Sequence, residues 1–248
     1  MKSIEDVLKK RSNITFFSED KIPDKKVIEN ILQKTHDLMP HKNNFYNYEI
    51  EVYGPEHFEE KKVVALATVC STDGKRFRKS KNARDYKELE EIYELWLKSQ
   101  TEKIKEHKFK DKLKKIHFNE QVRAPYLLVY TKKENVLTDT QKESDYFQNG
   151  RLDKVFNVES SNDTGMWLIQ SGMHSTITTA LALEEGLDAS FCKCFFYNTY
   201  IHTNILRKAV RDNNDIAFLL GLGYEDKSKS HYKSYVPKAK LNEIVKWR

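Results

Sequence analysis

Long apolar runs are missing from this 248-residue chain. None approaches the ~20 residues that cross a bilayer, so no membrane span is expected. The opening stretch MKSIEDVLKKRS carries acids and has no apolar centre, which speaks against a secretory signal. Cysteine is scarce: Cys70, Cys192 and Cys194 make an odd count that supports no disulfide framework. Reduced thiols in a cytoplasmic protein are the expectation. Cys192 and Cys194 lack a second thiol pair and the eight histidines lack H-E-x-x-H spacing, so no zinc or other metal site is expected. There is no G-x-G-x-x-G, no P-loop and no G-x-S-x-G elbow, which leaves the nucleotide sites and serine hydrolase chemistry of those motifs without support.

What is present describes a folded core under a charged shell. Hydrophobic residues make up 39% of the chain and charged ones 32%, while aromatics at 12% exceed what a disordered chain carries. Forty-three basic residues face 37 acidic ones, a net +6 that suits an anionic ligand or a nucleic acid without choosing between them.

Periodicity supplies the elements. Ile4, Val7 and Leu8 share one face of a short helix over 3–11. Asp24 caps a second helix running to about Leu38, with Val27, Ile28, Ile31 and Leu32 as its buried stripe, and Pro40 ends it. Tyr48, Ile50 and Val52 alternate with Glu49 and Glu51 in a half-buried strand. Gly54-Pro55 stops that strand and opens a helix to about Val69, its start favoured by Glu56, Glu59 and Glu60. A basic loop over 71–85 and a helix over about 86–107 follow. The apolar run 124–131 reads as a central strand, and 132–160 as irregular chain. Residues 163–185 form a buried helix stopped by Gly186. Strands at 190–197 and 215–222 flank a helix near 201–212, with Gly221 and Gly223 ending the last strand. This order predicts an α+β fold in one domain, 1–248, with a helical and basic insertion near 56–115.

Four segments can carry chemistry. Lys10-Arg11-Ser12 ends the first helix; two cations and a hydroxyl in a row can hold a phosphate, or simply complement a helix C-terminus. Pro40-His41-Lys42-Asn43-Asn44 is a polar turn before a strand, either a ligand contact or an ordinary loop. Phe118 to Arg123 enters the 124–131 strand. Lys238 and Lys240, two apart, face one way in extended backbone and can meet one anion.

Taken in order, these segments resemble the nitroreductase family of FMN flavoproteins over nearly the whole chain. The family's R-R-S-x-R-x-F opening corresponds to Lys10 through Phe16, with Ile14 in place of its second phosphate-binding cation. Its P-S-x-x-N-x-Q-P-W turn corresponds to Pro40 through Tyr48, with His41, Tyr46 and Tyr48 substituted and Asn44 retained. Asn119 and Arg123 fall near flavin contacts of the family. Lys193-Cys194 stands where its backbone approaches the reactive edge of the ring, with Cys194 in place of glycine. Leu222-Gly223-Tyr224 is similar to its late G-Y-P turn, and Lys238 with Lys240 to its closing K-x-R clamp.

The resemblance implies a mostly antiparallel sheet surrounded by helices, in a homodimer with FMN at the interface. The implied cofactor set is Lys10, Arg11, Ser12, His41, Lys42, Asn44, Asn119, Arg123, Lys193, Cys194, Lys238 and Lys240. Tyr46, Tyr146 and Phe147 would line a substrate pocket. Arg123 or Lys193 would stabilise negative charge on the reduced ring. The implied activity is NAD(P)H oxidation coupled to reduction of a small nitroaromatic or quinone-like acceptor, with no protein acid or base required. The alternatives are a specialised or degenerate flavin site and, in another class, a nucleic-acid binder. The latter would use Lys75, Arg76, Arg78, Lys79, Lys81 and Arg84 with Phe77 as a stacking residue.

Overall fold

The computed structural model describes residues 3–12, 14–41, 46–58, 60–61, 119, 124–133, 138–144, 148, 165–193, 216–229 and 239–247. Helix α1, Ile4–Lys9, starts at Ser3, whose hydroxyl accepts from the Asp6 amide while the Asp6 carboxylate takes the Ser3 amide in return. Val7 is buried but Leu8 is exposed, because Leu8 faces an open cleft rather than the core. Helix α2, Lys25–Leu38, is capped by Asp24, whose carboxylate accepts from the Lys26 amide at 2.9 Å. Its inward residues are Ile28, Ile31 and Thr35, with Val27 and Leu32 packed at the margin. Met39 leaves in extended backbone, as the ring of Pro40 requires of the residue before it.

Four antiparallel strands form the sheet among the described residues, in the order β1-β2-β4-β3: β1 Tyr48–Tyr53, β2 Tyr126–Lys132, β3 Asp188–Cys192 and β4 Ile216–Gly223. The apolar run of β2 is explained by its internal position, since both its faces are buried. On β1 the alternation fades along the strand: Tyr48 is buried, Ile50 partly so, and Val52 is exposed at the sheet edge. Helices α2 and α4, Met166–Glu184, cover one face. Ile28, Ile31, Trp167 and Ala182 meet Leu128, Tyr130, Leu220 and Leu222 in one core. Each fully buried large side chain there stabilises the fold by about 1.5–3 kcal/mol. Leu127, Val129 and Leu219 on the other face are equally buried.

Two glycines are fixed by the backbone. Gly186 ends α4 at φ 80, a left-handed conformation that costs a side chain strain. Gly223 closes β4 where a Cβ would lie 2.6 Å from Pro125 Cδ and 2.9 Å from Phe17 Cδ1. That close approach belongs to a clasp: Ser18 N donates to Tyr224 O at 2.8 Å and Asp226 N to Phe16 O at 3.1 Å. The segment after α1 is thereby tied to the segment after β4.

Several expectations shift. β3 starts at Asp188 rather than Ser190, and Gly221 lies inside β4, paired with Leu127 and Ser190, instead of ending it. Pro55–His57 is a 3-10 turn before helical residues that are described only to Lys61. The stretch expected to be irregular contains α3, Asp139–Lys142, whose Thr138 and Gln141 form a reciprocal cap. A short α5, Leu241–Ile244, lies near the C-terminus. The expected 71–85 loop and the helices near 86–107 and 201–212 lie outside the described residues.

Candidate functional site

The chain after α1 turns at Lys10, whose amide bonds to Val7 O, and Arg11, whose amide bonds to Leu8 O. This winds the last turn tightly and sends Arg11 to the rim of a cleft of about 1090 Å3. Three surfaces bound it. Leu8 and Lys9 of α1 and Arg11 of the turn after it form one, Ser175, Thr176 and Thr179 of α4 the second, and Phe191, Phe218 and Leu220 of the sheet the third. Lys9 is paired with Glu5 at 2.8 Å across one helical turn.

The α4 wall has a defined polarity. Ser175 Oγ donates to Gly172 O at 2.9 Å, Thr176 Oγ1 to Gly172 O at 2.8 Å and Thr179 Oγ1 to Ser175 O at 2.7 Å. Each hydroxyl proton is committed to the helix, which leaves oxygen lone pairs as acceptors for a ligand's N–H or O–H groups. The sheet wall is aromatic. The Phe191 ring lies 4.6 Å from that of Phe218, and Phe218 lies 4.6 Å from Tyr130.

Of the residues expected to bind a cofactor, Arg11 lines this cleft. Lys10 and Ser12, its sequence neighbours, are exposed. Lys193 follows β3 directly and is exposed beyond the Phe191 wall. Asn119 is buried and its Nδ2 donates to Cys192 Sγ at 3.3 Å, which brings the entry to β2 and the end of β3 together. Lys240 is exposed at the start of α5, where its amide donates to Glu243 Oε2 at 2.8 Å. Lys42, Asn44, Arg123, Tyr146, Phe147, Cys194 and Lys238 lie outside the described residues, as does the basic 75–84 segment.

His41 and Tyr46 fall in a second cluster that shares no lining residue with the cleft. Their rings are 4.2 Å apart, Tyr46 stacks on His36 at 5.6 Å, and His41 Nε2 is 3.3 Å from Tyr48 Oη. The Asn47 amide donates to the buried Gln170 Oε1 at 3.0 Å, which fastens this turn to α4. Deeper in, His174 Nδ1 lies 3.0 Å from Tyr130 Oη and 3.1 Å from Thr178 Oγ1, and Thr178 meets Thr35 of α2 at 3.2 Å. Burial pushes His174 down to about 4, helped by His41 and His36. Burial also lowers His41, against the Met39 carbonyl, which raises it. Burial raises the Tyr48 and Tyr130 phenols, so both stay protonated as donors. Among the described residues no group of three or more His, Cys, Asp or Glu side chains is placed to hold a metal ion.

The α4 hydroxyls and the Phe191–Phe218 wall were not singled out from sequence. A signal existed for the former: Ser175, Thr176 and Thr179 recur at one and four residues along a helix, marking one polar strip. Phe191 gave none, since an aromatic in a strand reads first as core.

Neither a protein-family model nor a curated protein sequence matches the chain. Solved structures do. A proposed NAD(P)H:FMN oxidoreductase from Staphylococcus epidermidis aligns over 100% of this chain and 97% of its own, with TM-score 0.62 and 10% identity. A proposed nitroreductase from Exiguobacterium sibiricum, solved in complex with FMN, aligns over 100% and 98%, with TM-score 0.58 and 14% identity. An FMN and NADPH-dependent nitroreductase from Sphigopyxis sp. aligns over 100% and 99%, with TM-score 0.57 and 16% identity. Antiparallel sheet, long helix α4 and end-to-end alignment agree, and the chain has the nitroreductase-like fold.

Proposed function

We propose that this chain, as one domain over 1–248, is an FMN-dependent NAD(P)H oxidoreductase working as a homodimer. The observation that carries this reading is the cleft at Arg11, in a fold whose solved examples include an FMN complex. Its chemistry fits FMN on three counts. A guanidinium at the rim suits the phosphate. Acceptor oxygens on α4 suit ribityl hydroxyls and the ring N–H. An aromatic wall suits the tricyclic ring. The volume lies just above the ~300–1,000 Å3 of most small-molecule sites, which leaves room for a ring with a phosphorylated tail.

When bound, FMN would accept a hydride from NAD(P)H and pass two electrons to a nitroaromatic or quinone-like acceptor stacked in the same place. The protein's work is then positioning: Arg11 anchors the anionic end, the α4 hydroxyls orient the donor edge, and Phe191 with Leu220 excludes water. Donor and acceptor alternate in one place, which is ping-pong order.

A dimer is supported by an exposed strip of the same helix that adjoins the cleft wall. Ile169, Gly172, Met173 and Thr176 follow helical spacing and form one strip, with Ile169 57% and Met173 37% exposed. This strip runs into the cleft at Gly172 and Thr176, so a second copy covering it would close the cleft mouth. Leu241, Ile244 and Trp247 give a further exposed apolar group on α5 and the chain after it. Among the described residues no helix is long and apolar enough to cross a membrane. The reading keeps the cytoplasmic placement expected from the scarcity of cysteine.

The test is to add FMN to the purified protein, remove oxygen, and titrate with NADH and with NADPH. The flavin band near ~450 nm should bleach at about one equivalent and return with a quinone. A bound flavin that neither nucleotide reduces would overturn the activity.

A further inference from the structure

An exposed aromatic at the edge of a well-packed sheet needs a reason. Phe191 is the penultimate residue of β3, the edge strand among the described residues, and pairs with Leu220. It points to the face that bears α4, and its neighbours in β3, Ser190 and Cys192, are buried on the other. Yet Phe191 is 49% exposed. A structural role would bury it, since half of the apolar gain of a phenylalanine is forfeited where it stands.

The ring is held in place despite its exposure. Tyr130, Phe218 and Phe191 form a ladder across β2, β4 and β3 with centroid spacings of 4.6 Å at both steps. Tyr130 is fully buried and hydrogen-bonded to His174, and Phe218 is 5% exposed, so the ladder is anchored at its inner end and open at its outer one. An anchored ring with an open side binds a planar partner at little cost in side-chain entropy. Its surroundings specify that partner further: acceptor oxygens of Ser175, Thr176 and Thr179 share the cleft, with the Arg11 cation at the rim.

We infer that Phe191 is the stacking wall of the cleft, against which the planar aromatic ring of the bound ligand lies while Arg11 meets its anionic end. This rests on the flavin reading above and adds to it a residue that recognises the ring rather than the phosphate.

The experiment is a binding titration of flavin-stripped full-length protein, followed by quenching of flavin fluorescence, with FMN and with riboflavin as probes. Phe191→Ala should weaken both by the same factor, about tenfold, because stacking is on the ring that both share. Phe191→Trp should restore both, and Phe191→Leu, which keeps apolar bulk and guards against a misfolded alanine variant, should behave as Phe191→Ala. Arg11→Gln should weaken FMN about tenfold and leave riboflavin unchanged, because riboflavin has no phosphate. Wild-type affinity in both Phe191→Ala and Phe191→Leu, or a loss confined to FMN, would overturn the role of Phe191 and leave the flavin reading standing. A wild-type protein that quenches neither probe would overturn both.

Discussion

At the scale of single residues, His174 makes the sharpest claim. Its ring is buried between β2 and α4, and burial together with His41 and His36 pushes it down to about 4. The unfolded chain binds that proton near the ordinary value of 6.5, so between pH 6.5 and about 4 the unfolded state holds more protons than the fold. The stability contributed by the neutral ring is therefore complete above pH 6.5 and lost as the pH falls through that window. At ~1.4 kcal/mol per pH unit the loss amounts to about 3 kcal/mol by pH 4. Urea unfolding of the wild type at pH 7, 5.5 and 4.5 should show this fall, and His174→Gln should flatten it. Equal slopes in the two proteins would place the acid sensitivity elsewhere. Gly223 makes a steric claim. Alanine there meets Pro125 and Phe17, whose atoms are fixed by β2 and by the clasp after α1. Gly223→Ala should cost about 1–3 kcal/mol of unfolding free energy, the usual range for overpacking, and a neutral result in thermal melts would contradict the geometry.

Secondary-structure elements were legible where one physical rule dominated. Asp24 before an apolar 3.6-residue period gave α2, and Gly186 after another gave the end of α4. The apolar run in β2 gave an inner strand because both its faces are buried. Boundaries were lost where tertiary contacts decide: β3 begins at Asp188, whose carboxylate accepts from the Glu225 amide at 2.9 Å, a contact 37 residues away in sequence. Gly221 reads as a stop yet lies in β4, where paired strands on both sides supply the order that a glycine lacks. The same limit applied to the site. Arg11 stood out as a cation ending a helix, whereas the cleft wall of Thr176, Phe191 and Phe218 exists only once α4 and the sheet are packed. Helix α4 carries the prediction at this scale. Its strip Ile169 and Met173 should be covered by a second copy, so light scattering should give twice the 29.3 kDa chain mass. Replacing both residues with glutamate should yield monomers, since a buried unpaired charge is costly at an interface. A wild-type monomer at micromolar concentration would contradict the dimer.

For the whole molecule, the α+β expectation agrees with the antiparallel sheet of four strands among the described residues, its covering helices and the full-length alignment to nitroreductase-fold structures. The fold alone fixes no activity. What narrows it is the meeting of three independent chemistries in one cleft: a cation from the turn after the first helix, acceptor hydroxyls from the long helix and an aromatic wall from β3 and β4. These come from sequence positions as distant as Arg11 and Phe218, and the clasp between Phe16–Ser18 and Tyr224–Asp226 holds the two regions together. The most direct measurement is a crystal structure of the protein grown with saturating FMN. Density for the tricyclic ring against Phe191, with the phosphate at Arg11, is the predicted result. Flavin density away from this cleft, or a cleft filled only by water at saturating FMN, would contradict it.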